Sequence, residues 1–299
     1  MIYTLTLNPA LDYTVFAEGL TVGAVNRAGG FSISYGGKGI NVSAMLKNLN
    51  VSSVALGFIA GFTGNELEKL LLNEGINFDF IKLKSGITRI NVKIREKSET
   101  DINVQGPCAS ADELNLLYKK LNKLEHGDWL VLSGSIPSGM PSDIYARLSE
   151  FAEKRGARVI IDAVGSALTD SLYTKPFLIK PNREELGGIS DAFFYAEKLK
   201  AEGAKNVMIT LGGEGSALIC ENGERLYCSA ADGAVLNTVG AGDSAVAGFI
   251  AGYSENGSYK NALKLSAAAG GATAFSNGIG NAELVNRLRS SISVKEYAQ

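Results

Sequence analysis

In Asn237-Thr238-Val239-Gly240-Ala241-Gly242-Asp243-Ser244-Ala245-Val246-Ala247-Gly248-Phe249, two glycines and a carboxylate stand where a loop runs into a small-residue helix. Gly240 and Gly242 let the backbone turn tightly and leave amide N–H groups uncovered, while Ala245, Ala247 and Gly248 let the helix pack closely. A helix start carries unpaired N–H donors and roughly half a positive charge, so Gly240, Ala241 and Gly242 form a cradle for a phosphate or a developing negative charge. Asp243 is the odd member, because a carboxylate beside a bound phosphate is repelled by it. It reads more simply as a base that takes a proton from a hydroxyl attacking that phosphate. The competing reading is a helix cap, since aspartate is a favoured N-cap residue, and spacing alone leaves both open. Gly240, Gly242 and Ala245 also satisfy the dinucleotide pattern G-x-G-x-x-A. That fingerprint should follow the first strand and avoid an acid facing the pyrophosphate, whereas this copy lies late and follows Asp232-Gly233 without a clear apolar strand.

A second glycine cluster, Gly36-Gly37-Lys38-Gly39-Ile40-Asn41-Val42, opens a helix continuing to about Leu49. It is not a Walker loop, because Ser32 and Gly39 stand where that motif needs a glycine and a hydroxyl residue. Its glycines still let another molecule approach the backbone, with Lys38 and Asn41 in the same small region. Asp12 follows the break at Asn8-Pro9-Ala10 and either contacts a substrate hydroxyl or caps the turn. Arg89-Ile90-Asn91-Val92-Lys93-Ile94-Arg95 alternates with period two, placing Arg89, Asn91, Lys93 and Arg95 on one face and Ile90, Val92 and Ile94 on the other. That pattern fits a solvent-facing edge strand or a flap closing on an anion. Two further small-residue loops, Ser133 to Gly139 and Leu211 to Gly215, follow apolar runs, at the sheet edge where α/β proteins bind ligands.

These segments need a frame. Strand-like runs at 2–7, 54–58, 78–83, 129–132, 159–162, 177–180 and 207–210 alternate with helical patterns at 65–72, 112–124, 144–155 and 193–200, and the last two helices start near Ala241 and Tyr259. The alternation predicts βαβ units and a mostly parallel sheet. With 299 residues, 45% hydrophobic content and 35 glycines, the chain can bury a large core. A net charge of −2 offers no general attraction to nucleic acid or an anionic membrane. Cys108, Cys220 and Cys228 form no C-x-x-C pair, and with no signal peptide or long apolar run they point to a reducing cytoplasm. The single histidine, His126, sits in a turn-like segment and argues against a histidine-rich zinc site.

Together these motifs resemble the ribokinase-like sugar kinases of the phosphofructokinase B family. Gly36-Gly37-Lys38-Gly39 with Asn41 resembles its N-terminal signature, and Asn237 to Ser244 its C-terminal one. Thr6-Leu7-Asn8-Pro9-Ala10-Leu11-Asp12, Gly134-Ser135-Ile136-Pro137-Ser138-Gly139 and Ile179-Lys180-Pro181-Asn182 are similar to the branch of 1-phosphofructokinases and tagatose-6-phosphate kinases. The resemblance implies one α/β/α sandwich over 1–299 with a small β lid from about 12–34 and 88–105. By carry-over, Asp243 is the base, and Gly240, Ala241 and Gly242 belong to the anion hole. Asp12, Gly37, Lys38 and Asn41 hold the sugar, and Arg27, Arg89 and Ser138 meet its existing phosphate. Lys180, Asn182, Thr210, Gly212, Gly215 and Asn277 border ATP, and Glu185 reaches magnesium through water. Arg27 departs from the lysine frequent in relatives, keeping the charge but allowing a forked contact.

The expected activity is ATP- and magnesium-dependent phosphorylation of a ketohexose monophosphate, fructose 1-phosphate giving fructose 1,6-bisphosphate, with tagatose-6-phosphate or fructose 6-phosphate kinase as alternatives. A non-catalytic nucleotide- or sugar-binding regulator is the reading from another class. The stripe Ile90, Val92 and Ile94 further predicts a homodimer joined through the lids. Neither nucleic acid nor membrane is expected as a partner.

Overall fold

The apolar runs become strands of one twisted sheet because each has side chains to bury on both faces. In the computed structural model, which describes residues 1–96 and 99–297, the strands lie in the order β14 (Val294–Glu296), β13 (Arg225–Cys228), β12 (Ser216–Ile219), β11 (Asn206–Thr210), β10 (Leu178–Ile179), β9 (Arg158–Asp162), β8 (Trp129–Ser133), β1 (Ile2–Thr6), β4 (Val54–Ile59) and β5 (Ile81–Lys82). From β5 to β11 every pairing is parallel, and β12 to β14 add an antiparallel edge. Period-two alternation sends Leu130 and Leu132 to one face and Trp129 and Val131 to the other.

Each face carries helices. Helices α3 (Ala111–Leu121), α4 (Ile144–Glu153) and α6 (Ala192–Ala201) supply Leu117, Leu148 and Ala196 to the first core. Helices α1 (Lys38–Asn48), α7 (Ala241–Asn256), α8 (Tyr259–Ala274) and α9 (Ala282–Ser291) supply Met45, Phe249, Leu263 and Val285 to the second. Helix α2 (Gly61–Asn73) joins α1 in a third cluster, and the short α5 (Ser166–Thr169) adds Leu168 to the first. The α/β/α sandwich expected from the sequence is therefore present.

Helix α7 shows why its sequence is so poor in large side chains. A Cβ on Gly248 would come 2.5 Å from the carbonyl oxygen of Leu265, and one on Gly252 2.8 Å from that of Asn261. The backbones of α7 and α8 thus approach closely, and Gly240, at φ 79°, turns the chain into α7 while Gly257, at φ 72°, ends it.

A second, four-stranded sheet stands apart in the order β3 (Ala28–Gly36), β2 (Ala10–Ala17), β6 (Arg89–Arg95) and β7 (Glu99–Ile102). Its register pairs Asp12 with Ser34 and Asn91, and Tyr13 with Ile33 and Val92. One face is therefore polar and the other apolar. The strands of this sheet fall in and beside the segments 12–34 and 88–105 from which a lid was expected; of the expected domain 1–299, residues 97, 98, 298 and 299 lie outside the described residues.

Several boundaries differ from the sequence reading. Helix α2 begins four residues before 65, because Gly61 at φ 60° and the Thr63 hydroxyl bonded to the Thr88 carbonyl support an earlier first turn. The run at 78–83 pairs only at Ile81–Lys82 and through an isolated bridge from Phe78 to Ala55. A further helix and strand, α9 and β14, follow the two helices taken as last; Asn281 caps α9 through the Leu284 amide. The polar face of β6 is not a wet edge: Asn91 and Lys93 are buried.

Candidate active site

Asp243 sits at the third position of α7, and the residue capping that helix is Gly240, whose side chain cannot bond. The carboxylate does not cap the helix. Its Oδ2 instead accepts a 2.8 Å hydrogen bond from Asn41 Nδ2 on α1, so the two glycine-led helix starts, 202 residues apart, converge on one group. Burial, and after it the neighbouring Asp162 charge, push the Asp243 carboxyl up to about 6 against the opposing pull of Asn41, Lys38 and Lys180. A carboxylate poised there can both accept and hold a proton near neutrality.

Beside it lies a chain of charges. Asp162, ending β9, is almost wholly buried, and its Oδ1 lies 3.2 Å from Lys180 Nζ and 3.4 Å from Lys38 Nζ. Burial alone would raise the Asp162 carboxyl; the two ammonium groups outweigh it and hold it below the ordinary range. Lys38 responds in mirror image: burial lowers it, but Asp162, Asp243 and Glu185 together hold it above its usual value. Lys180 projects over the helix start, so that a Cβ on Gly242 would lie 3.2 Å from its Nζ. With glycine at 242, no side chain stands between that ammonium and the first-turn amides of α7, and the two kinds of donor together suit a phosphate.

Asn182 and Glu185 lock each other, Glu185 Oε2 accepting from the Asn182 amide at 2.9 Å and Asn182 Oδ1 from the Glu185 amide at 2.8 Å. The other Glu185 oxygen lies 3.9 Å from Lys38 Nζ. Among the described residues no group of three His, Cys, Asp or Glu side chains forms a metal cage. Magnesium does not require one: it keeps several waters and binds through one or two carboxylates plus phosphate oxygens. The donors present fit that habit, because Asp162 Oδ2 is buried without a hydrogen-bond partner and Glu185 is near the same lysine. Farther along the sheet edge, Thr210 bridges to Asn182, and Gly212 and Gly215, both at positive φ, shape the turn into β12. A Cβ on Gly215 would collide with the Cys228 carbonyl, whereas Gly212 faces open space.

On the lid side, Asp12 is buried within β2, not on a turn, and Gly36 leaves room for it: a Cβ there would lie 2.6 Å from Asp12 Oδ1. Asn91 Nδ2 donates to Asp12 Oδ1 at 2.9 Å, and Lys93 Nζ lies 3.7 Å from Asp12 Oδ2 and 3.2 Å from Asp101 Oδ2. Burial pushes the Asp12 carboxyl up, against Lys93, Asn91 and Arg89. A cavity of about 870 Å³ runs along this face, with Asp12, Ser34 and Lys93 on the lid, Asn41 and Lys47 on α1 and Asn277 on the loop after α8. Asn41 joins this cavity to Asp243. Gly37, at φ 132°, packs against Thr6 at the start of α1.

Three expected phosphate contacts lie elsewhere. Arg89 donates to the carbonyls of Asn8 and Val104, Arg27 is exposed on the connection between β2 and β3, and Ser138 is exposed on the loop after β8. None of them lines the large cavity. Lys93, on the polar face of β6, is offset by two carboxylates. Asp162 was not singled out by the sequence, although an acid ending an apolar strand was the available signal. Among the described residues no helix is long and apolar enough to cross a membrane.

Known proteins carry the same architecture. The model of the pfkB family carbohydrate kinases matches residues 5–285. The 1-phosphofructokinase of Bacillus subtilis is 42% identical over 98% of this chain and 99% of its own length, and the D-tagatose-1-phosphate kinase of Bacillus licheniformis is 38% identical over 98% and 99%. Phosphofructokinase-2 from Escherichia coli, solved in complex with substrates and products, superposes with a TM-score of 0.91 at 27% identity over 97% of this chain and 98% of that one. Ribokinase from Arabidopsis thaliana, at 22% identity, shares the fold with a TM-score of 0.78 over 96% and 98%. The chain belongs to the pfkB family of carbohydrate kinases.

Proposed function

We propose that the chain transfers the γ-phosphoryl group of ATP to the free primary hydroxyl of a ketohexose monophosphate, converting fructose 1-phosphate to fructose 1,6-bisphosphate. The observation that carries this reading is the buried Asp243 carboxylate, bonded to Asn41, which lines the large cavity, and next in the chain to Gly242, which faces the Lys180 ammonium. Asp243 takes the hydroxyl proton as the oxygen attacks. The amides at the start of α7 and the Lys180 ammonium offset charge on the moving group without reorganising. Lys38 bridges the sugar side to Asp162; Asn182 and Thr210 shape the nucleotide side, and Glu185 would hold magnesium. Bound magnesium would neutralise the phosphate charge.

Both curated relatives act on an acceptor named with its phosphate on carbon 1, which favours a 1-phosphate over tagatose 6-phosphate or fructose 6-phosphate. The 38% identity to a D-tagatose-1-phosphate kinase supports tagatose 1-phosphate as the second reading. The deciding experiment is ATP turnover against a panel of free and phosphorylated sugars, with the product's phosphate position read by NMR. Fructose 1-phosphate is expected to give the highest kcat/KM; no ATP consumption with any sugar would favour a non-catalytic binder.

The free enzyme should show the Asp243 carboxyl titrating near pH 6. Its raised value means the proton is bound below that pH, so base function is present above it and falls about tenfold per pH unit beneath it. Carbon-13 NMR of ligand-free protein labelled at aspartate carboxyls would identify the resonance as the one lost in Asp243→Asn. An ordinary aspartate titration there would remove the argument from burial.

We further propose a homodimer through the lids, its faces built differently from the sequence stripe. Ile90 packs into the core beside α1 and α2, whereas Phe31, Ile33 and Ile102 are 64%, 44% and 50% exposed on the apolar face with Val92. Stacked Tyr13 and Phe31 rings extend it. A second copy of the face would cover it. Light scattering is expected to give twice the 31.5 kDa chain mass, and Phe31→Glu to give monomers; a monomer in the unaltered protein at working concentrations would contradict the dimer.

A further inference from the structure

Asn91 presents a buried oxygen that nothing among the described residues satisfies. Its Nδ2 donates to Asp12 Oδ1, and because an ionised carboxylate can only accept, that bond fixes which end of the amide is which. The other end, Oδ1, is buried without a hydrogen-bond partner, in a residue only 7% exposed. Leaving such an acceptor unanswered is costly, and folded chains keep few of them unless a water or ligand completes the bond. Asn91 shares its sheet face with Asp12, directly opposite on β2, and with Lys93, two residues on; both line the large cavity. Neither neighbour can supply the missing donor. Asp12 accepts, and the Lys93 ammonium is already shared between Asp12 and Asp101.

We propose that Asn91 is a specificity-determining contact, its Oδ1 accepting a hydrogen bond from a ring hydroxyl of the acceptor sugar while Asp12 accepts from the neighbouring hydroxyl. Cross-strand partners bring two acceptors side by side, which suits the adjacent hydroxyls on carbons 3 and 4 of a ketofuranose. The contact also explains the placement of an amide here rather than a second acid: Asn91 holds Asp12 with one end and reads the sugar with the other. A site that accepts from a substrate hydroxyl discriminates strongly against an analogue lacking it, because its own buried group is left unpaired. The inference rests on the sugar-phosphate kinase reading.

The test compares fructose 1-phosphate with its 3-deoxy and 4-deoxy forms in the unaltered enzyme and in Asn91→Ala. Against the full sugar, Asn91→Ala is expected to lower kcat/KM about 10–100-fold with KM for ATP unchanged. In that variant one of the two deoxy sugars should be used as well as the full sugar, its own penalty having vanished. An equal loss on all three sugars would show that Asn91 only positions Asp12, and no loss would show that water answers the oxygen; either overturns the inference. Asn91→Ser, judged by the same comparison, covers the case in which the alanine variant does not fold. If the unaltered enzyme ignores fructose 1-phosphate, the kinase substrate assignment fails separately, and the comparison passes to the deoxy forms of whichever ketose phosphate it does use.

Discussion

Asp243→Asn is expected to lower kcat by about 10²–10⁴, the usual worth of a positioned general base, while leaving the fold and ATP binding intact. The amide is isosteric and can still pair with Asn41, whose own amide can rotate to present an oxygen. It cannot take a proton. The loss should fall on kcat and kcat/KM together, because the interaction removed is made as the hydroxyl ionises and not when the sugar binds. Removing the carboxylate also relieves its repulsion with Asp162, so the variant should melt no lower than the unaltered protein, since a buried like-charge pair opposes folding. Near-normal turnover in steady-state assays would mean that another group accepts the proton. A lowered melting temperature with full activity would mark Asp243 as structural.

The parts of this arrangement visible in the sequence are those that backbone chemistry writes locally. Gly240 and Gly242 before an acid, and the small residues of α7, announce a tight turn and a close helix pair, and the positive φ at Gly240 and the near contact of Gly248 with Leu265 bear those two readings out. Period two in β6 separated its two faces correctly. It could not say which face points inward, because alternation assigns residues to faces without fixing what covers either one. Long-range electrostatics were hidden for the same reason. Lys93 looks like a surplus charge in the chain, yet its partners Asp12 and Asp101 lie on the neighbouring strands. Asp162 gave only the weak signal of an acid after an apolar run; its importance arises from Lys38, 124 residues away, and from Lys180 on the next strand's exit. At Asp243 spacing likewise left the cap reading open, and the structure removes it, since Gly240 is the cap and Asn41 the partner.

Free fructose should be a poor substrate, its kcat/KM about 10²–10⁴ below that of fructose 1-phosphate, the effect of losing two charge-assisted contacts at roughly 1.5–3 kcal/mol each. The expectation rests on Arg89, since Lys93 is already paired with Asp12 and Asp101. That guanidinium is half-buried, and burial lowers its pKa, with Asp12 pulling the other way. It donates to two backbone carbonyls, of Asn8 and Val104, and among the described residues no carboxylate lies within ion-pair distance of it. A partly desolvated cation held by neutral acceptors keeps donors in reserve, and a phosphate is the acceptor whose geometry a guanidinium matches in a fork. Asn8 also donates to Ser135 on the loop that carries Ser138, so the anchor of Arg89 and that loop meet at one place. An acceptor bound with its phosphate there and its free hydroxyl at Asp243 would span Asp12, Gly37 and Asn41. Arg89→Ala should therefore raise KM for the sugar phosphate by about 10–100-fold, one such contact's worth, with KM for ATP nearly unchanged. For free fructose the same substitution should change little, because no phosphate is present to lose its partner. Steady-state kinetics on both sugars with both proteins completes the cycle. Equal efficiency on fructose and fructose 1-phosphate, or an equal loss on both in Arg89→Ala, would mean that Arg89 serves the lid alone and that the acceptor's phosphate is bound elsewhere.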